Sequence, residues 1–321
     1  MSKLLIIGCG GCGINIAQHF INRSEAGYAD IDVFMVDTSR SNLNDKIDPS
    51  KIYRFDDVDG SGKVRSMNYS AISERAKEII QHLSPADIIN IIHSGSGGSG
   101  SVLAPVLVSE LIKKNRQVIV TVVGGTSSNI ETNNTLKTLQ SYAAIAEQTN
   151  SPISVAYFEN GSKTPRSKVD DQVKTHIIMT SLFFSGKHRE LDSADLHHFL
   201  NFTKVTQYRP TMVKLDYFDG KEITLSKDEA VVAAVTLTND ETSSDISHPL
   251  EYQAVGFIAP IVTQHTSFNM PLHAVLVLNA FTPIVSRLEA KLAEAEDARA
   301  AVIERSIIGT SIQTTKEGIV L

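Results

Sequence analysis

The sequence predicts an α/β protein: a doubly wound parallel-sheet domain, a long central helix, a second, smaller α+β domain and a carboxyl-terminal helix with a tail. Three observations carry this. Short apolar runs alternate with helix-period patterns through the first half, the order of a parallel sheet covered on both faces. One helical pattern then runs over residues 167–184. Beyond it, apolar runs follow one another with few helices between them, which suits a mixed or antiparallel sheet. At roughly 100 to 200 residues per domain, the chain of 321 residues has room for two. The expected boundaries are a binding domain over 1–165, the central helix over 166–187, the second domain over 188–281 and the last helix and tail over 282–321.

In chain order, strands are expected at 4–7, 32–37, 88–93, 118–123 and 153–157. Helical spacing joins Ile14, Ala17 and Ile21, then Ile72, Ala76, Ile79 and Ile80, then Leu103, Val106, Leu107 and Leu111. Val169, Val173, Ile177, Ile178 and Leu182 mark the central helix, which Pro165 introduces. A short helix over 192–202 and strands at 211–218, 230–238, 253–262 and 273–281 follow. Thr282 and Pro283 then supply an N-cap and a first-turn proline. The stripe Val285, Leu288, Leu292 predicts a surface helix docked by one face, with a coiled coil or partner helix as the alternative that Arg299 disfavours. Residues 309–321 read as a frayed tail or a segment that docks on a neighbour.

Composition excludes several classes. The 30 Lys+Arg and 36 Asp+Glu leave a formal charge of −6 with no long run of one sign, which argues against a direct nucleic-acid face or an amphipathic membrane anchor. Any DNA partner would be reached indirectly, through a cargo or adaptor protein. The apolar run before Gly8 is only four residues long, Leu4 to Ile7, too few for a signal-peptide core, and no window approaches the ~20 apolar residues of a membrane span. The two cysteines, Cys9 and Cys12, lie in one glycine-rich turn, so a disulfide framework is not expected and a reducing cytoplasm suits the chain. As a redox pair or half a zinc site they lack partners; buried filler is the better reading.

Chemistry concentrates in glycine-rich loops. Gly8, Gly10 and Gly13 form a G-x-G-x-x-G after the first strand, with Asp37 closing the second. Glycines let backbone N–H groups approach a phosphate, and a helix N-terminus adds partial positive charge. Alone, this is the fingerprint of a dinucleotide-dependent oxidoreductase. A second cluster, Ser96, Gly97, Gly98, Ser99, Gly100 and Ser101, stands between the strand ending at His93 and the helix containing Pro105. It makes a second anion cradle that a dehydrogenase does not need. Two cradles suit a ligand with several phosphates. A third loop, Gly60, Ser61, Gly62 and Lys63, offers donors and a cation. It is not a Walker A loop, because Asp57 stands where that motif needs glycine and Val64 where it needs Ser or Thr. Glu131, after a further polar stretch, is suited to accept from ribose hydroxyls or to start a helix. Asp192 and Asp195 have the spacing of an N-cap pair. The histidines lack triad or zinc spacing.

Together these loops resemble the tubulin/FtsZ superfamily. Gly10, Gly11, Cys12 and Gly13 are similar to its first loop. The run 97–101 with Ala104 and Pro105 is similar to its glycine signature, with Ser99 for Thr and Val102 for the last Gly. Residues 190–196 are similar to its acidic loop, with Glu190 where Asn is usual. The resemblance covers about residues 1–200 and is strongest to the divergent tubulins of large bacteriophages, with plasmid-partitioning tubulins next.

It implies a GTPase that binds GTP or GDP with Mg2+ and assembles head to tail with copies of itself. Loops 10–13 and 96–101 would hold the phosphates, Asn15 would face the nucleotide, Glu131 the ribose, and loop 60–63 the γ-phosphate end. Asp170 and Asp171 are the candidates for guanine, the family spacing favouring Asp170. Asp192 and Asp195 would act on the neighbouring subunit's GTP. The biological expectation is a filament positioning phage DNA in an infected bacterium, or a plasmid in the alternative. An oxidoreductase using Asp37 and a non-hydrolysing adaptor remain the rivals.

Overall fold

The computed structural model describes residues 2–41, 47–161, 164–220, 222–239, 245–265 and 269–304; the expected tail over 309–321 lies outside them. The first half alternates β1 (Lys3–Cys9), α1 (Gly10–Ala17), β2 (Asp30–Asp37), β3 (Ile52–Arg54), α2 (Tyr69–Gln81), β4 (Ile88–Ser94), α3 (Gly100–Lys113), β5 (Val118–Gly125), α4 (Asn129–Thr149) and β6 (Ile153–Asn160). The central helix α5 (Arg166–Phe183) and short α6 (Ser193–Leu200) lead to β7 (Met212–Asp219), β8 (Ala230–Thr238), β9 (Tyr252–Phe257), α7 (Pro260–His265), β10 (Leu272–Leu278) and α8 (Thr282–Glu304).

All ten strands share one sheet, in the order β3-β2-β1-β4-β5-β6-β7-β10-β8-β9. From β3 to β7 every pair is parallel. β10 runs antiparallel to both β7 and β8, and β8 pairs parallel with β9. The carboxyl-terminal strands continue the first sheet through Ile153, Ser154 and Val155, which pair with Met212, Val213 and Lys214.

β1 shows why both faces are covered. Leu4 and Ile6 face a cluster with Ile14 of α1 and Val173 and Ile177 of α5, while Leu5 and Ile7 face Ile79, Leu103 and Tyr142 on the other side. A strand buried on both faces reads as a continuous apolar run. On that second side α8 docks on α4, with Leu288 fully buried and Val285 and Leu292 beside it.

Two local expectations change. The run 253–262 is not one strand: β9 stops at Phe257 and α7 begins at Pro260. Proline has no N–H for the ladder and is well suited to start a helix. The helix expected over 192–202 ends at Leu200, and a separate 3-10 turn occupies Phe202–Lys204.

β1 lies between β2 and β4, so the chain order reverses there. At such a switch point a crevice opens beyond the carboxyl ends of the strands. The glycine loops after β1 and β4 both leave from it.

Candidate nucleotide site

Two glycine loops meet backbone to backbone. Gly10 turns the chain from β1 into α1 with φ +67°, and a Cβ there would stand 3.0 Å from the amide nitrogen of Gly100. A Cβ on Gly100 would in turn stand 2.7 Å from the carbonyl oxygen of Cys9. Side chains are excluded for this reason, and the first turns of α1 and α3 come together. Their unpaired N–H groups and dipoles favour an anion at one place.

A cavity of about 260 Å³ opens there, lined by Gly10, Gly11 and Cys12 from the first loop and by Gly97, Gly98, Ser99 and Gly100 from the second. Gly60, Ser61 and Gly62 of the third loop form another wall, with Asp37 and Ser39 at the end of β2. Three loops singled out separately in the sequence thus enclose one space.

A polar network fixes their spacing. The Thr38 and Ser99 hydroxyls lie 2.5 Å apart, and Ser99 donates to Ser61 at 3.2 Å. Asn68 donates to the Gly60 carbonyl at 2.5 Å. Asn134, on α4, donates to the carbonyls of Lys63 at 2.9 Å and of Ser96 and Gly97 at 3.2 Å. Arg65 donates to the Ser101 carbonyl at 2.9 Å. Arg65 closes the third loop, where the sequence offers it as a cation; sequence reasoning missed Thr38, Asn68 and Asn134 as parts of the site, since each is a lone polar residue outside the glycine loops.

The other expected residues stand around this space. Ser101 is buried and donates to the carbonyls of Gly97 and Gly98 at 2.7 and 2.9 Å, so its hydroxyl shapes the loop. The Ser96 hydroxyl lies 3.0 Å from that of Ser94. Lys63 and Glu131, expected at opposite ends of the ligand, form an ion pair. Asn15 is exposed on α1.

Asp170 and Asp171 differ. Asp171 is exposed and paired with Lys174 at 3.2 Å. Asp170 is half-buried, and burial raises its carboxyl above the usual range. Its charge is felt by Cys12, whose thiol burial first and Asp170 second push up to about 12. Asp170 therefore borders the first loop. The Cys9 thiol is also raised, by burial; both cysteines are inert filler rather than nucleophiles.

Asp192 and Asp195 lie at the opposite end of the strands from this space. Asp192 Oδ1 accepts from the N–H groups of Ala194 and Asp195 at 2.7 and 3.0 Å, and Asp195 Oδ2 accepts from Asp192 N–H at 3.0 Å. This is a capping box at the start of α6. These backbone donors hold the exposed Asp192 carboxyl below its usual range. α6 covers the amino ends of the strands: Ser2, Ile88 and Gln117 share a 450 Å³ cavity with Ser193, Leu196 and Leu200. A strand of seven residues spans roughly 20 Å, so these acids do not reach the glycine loops of their own chain.

Residues 3–162 match the family described as Tubulin/FtsZ family, GTPase domain. The chain is 26% identical over 339 residues to a phage tubulin-like protein of Pseudomonas phage phiKZ, covering 99% of this chain and 98% of that one. It is also 26% identical over 233 residues to the phage tubulin-like protein of Pseudomonas phage PhiPA3, covering 72% of each. Among solved structures, a protofilament of TubZ from bacteriophage PhiKZ superposes with a TM-score of 0.85 at 25% identity, over 100% of both chains. A phage tubulin PhuZ bound to GDP has the same fold, with a TM-score of 0.85 at 21% identity over the full length of both chains.

Proposed function

The chain belongs to the tubulin/FtsZ family of GTPases, and from that premise we propose that it is a cytoskeletal protein assembling head to tail with copies of itself. Hydrolysis is then completed at each contact between subunits. The observation that carries this reading is that the cradle of glycine loops lies beyond the carboxyl ends of the strands, and Asp192 with Asp195 at their amino ends. Stacking subunits in one orientation brings the acids of one over the cradle of the next. Such a heterologous contact does not close on itself and generates a filament.

In this reading the amides of loops 10–13 and 96–101 hold the phosphates, and the wall of glycines suits a ligand that needs backbone donors at close range. Asp170 accepts from N1–H and the 2-amino group of guanine, a pair that adenine does not offer; its half-buried position beside Cys12 favours it over Asp171. Lys63 serves the terminal phosphate and Glu131 the ribose. Mg2+ would be held largely by the phosphate oxygens, with Asp37 and the hydroxyls of Ser39, Ser61 and Ser99 as the hard donors nearby. When bound, it neutralises charge on the phosphates. Asp192 and Asp195 position water against the neighbour's γ-phosphate and accept its proton.

Among the described residues no helix is long and apolar enough to cross a membrane. We place the filament in the host bacterial cytoplasm, positioning phage DNA through a cargo or adaptor protein, a role that rests on similarity to the phage tubulin-like proteins.

Light scattering and phosphate release recorded together test the reading. GTP, but not ATP, raises both, and a slowly hydrolysed GTP analogue raises scattering alone. Asp195→Ala lengthens filament lifetime and removes phosphate release. Scattering driven by ATP would reject the guanine assignment, and full release by dilute monomers would reject the shared site.

A further inference from the structure

The capping box does not account for every bond that Asp195 makes. The hydroxyl of Tyr252, on β9, lies 3.3 Å from Asp195 Oδ1 and 3.3 Å from the Asp195 carbonyl oxygen, and donates to them. Oδ2 accepts the Asp192 N–H at 3.0 Å. One carboxylate oxygen is thus held from its own helix start and the other from a strand. That strand is anchored independently, Tyr252 pairing with Ala233 of β8.

A helix cap needs only the backbone bonds. The phenol grips the oxygen that the helix start leaves over, and so fixes the plane of the carboxylate relative to the sheet. It remains a donor throughout the working pH range, because burial first and the Asp195 charge second push its pKa up to about 12. The His198 ring stands edge-on to the phenol at 6.2 Å and covers one side of it.

We propose that Tyr252 is a positioning residue for hydrolysis between subunits: its hydroxyl sets the rotamer and plane of Asp195, so that the carboxylate meets the neighbour's terminal phosphate already aimed. Holding a reacting group in place before the transition state removes an ordering cost from the barrier. The inference rests on Asp195 completing the adjoining site.

The test is a double-mutant cycle with Tyr252→Phe and Asp195→Asn, in which phosphate release is normalised to sedimented polymer. Polymer is also formed with a slowly hydrolysed GTP analogue, and GTP affinity is measured on free subunits. Tyr252→Phe lowers release about three- to ten-fold, the range for one hydrogen bond. Affinity and the critical concentration with the analogue do not change. In the Asp195→Asn background, losing the hydroxyl has no further effect, because the phenol acts only through that acid. Wild-type release by Tyr252→Phe beside a defective Asp195→Asn overturns the tyrosine's role and leaves the acid's intact. Wild-type release by Asp195→Asn overturns both. Additive losses, or failure of Tyr252→Phe to polymerise, would make Tyr252 a packing element and reject the proposal.

Discussion

Lys63 Nζ lies 2.6 Å from Glu131 Oε1, with half of the lysine side chain exposed and only 10% of the glutamate's. The pair joins the third loop to the first turn of α4. The lysine backbone is fixed: φ is +67°, Asn134 holds its carbonyl, and its Cα would stand 3.0 Å from a Cβ on Gly98. Its side chain is the movable part. A triphosphate in the cradle offers the ammonium more negative charge than one carboxylate does. On the proposed function Lys63 would then leave Glu131, which would become available to ribose hydroxyls.

Lys63→Ala is accordingly expected to weaken GTP binding by about ten-fold, or ~1.4 kcal/mol, and GDP binding by less. Glu131→Gln weakens both nucleotides to a similar degree. Titration of each variant with the two nucleotides checks this. Equal losses for GTP and GDP in Lys63→Ala would reduce the lysine to a structural tie between loop and helix.

The glycines of the cradle separate into two kinds. A Cβ on Gly13 would lie 2.1 Å from the Ile92 carbonyl oxygen, whereas one on Gly97 meets nothing nearer than the Ser94 side chain at 3.7 Å. Gly13→Ala must push α1 away from β4 and should cost about 3 kcal/mol or more of stability. Gly97→Ala should change stability by less than about 1 kcal/mol. Its methyl group enters the cavity wall, however, and should weaken nucleotide binding about ten-fold. Thermal unfolding without nucleotide, followed by GDP titration, separates the two. A Gly97→Ala protein that binds GDP normally would remove that residue from the cradle.

The same contrast explains what the sequence made legible. Glycine clusters report close backbone approach, and the runs that became β1, β4, β5 and β6 are apolar because both faces are covered. β3 has three residues on the edge of the sheet, too few for a periodic pattern. The network of Thr38, Asn68 and Asn134 was not legible because each comes from a different element and its partners are mostly carbonyls, which carry no side-chain signal. Of the aspartates on α5, family spacing already favours Asp170; burial adds the physical difference, since neighbours in sequence point in different directions on a helix.

Two buried histidines make stability depend on acid. The His93 ring lies 2.7 Å from the Tyr142 hydroxyl through Nε2 and 3.1 Å from the Ser94 carbonyl through Nδ1. Nδ1–H donates to the carbonyl, so Nε2 accepts from the tyrosine and the ring is neutral. His176 lies between Phe158 and Tyr217, at ring distances of 5.6 and 4.7 Å, and its buried Nε2 has no hydrogen-bond partner. Burial depresses both to about 3. The unfolded chain therefore takes up protons first as pH falls through about 6.5, and stability is lost from there down towards pH 3. At pH 5 each ring accounts for about 2 kcal/mol relative to neutral pH. His176→Phe keeps the aromatic contacts and loses no hydrogen bond at Nε2. It should lie within about 1 kcal/mol of the parent at pH 8 and have roughly half the acid loss that the two rings cause together. Urea midpoints at pH 8, 6.5 and 5 test this; an unchanged acid slope in His176→Phe would mean that the buried ring is not the group being protonated.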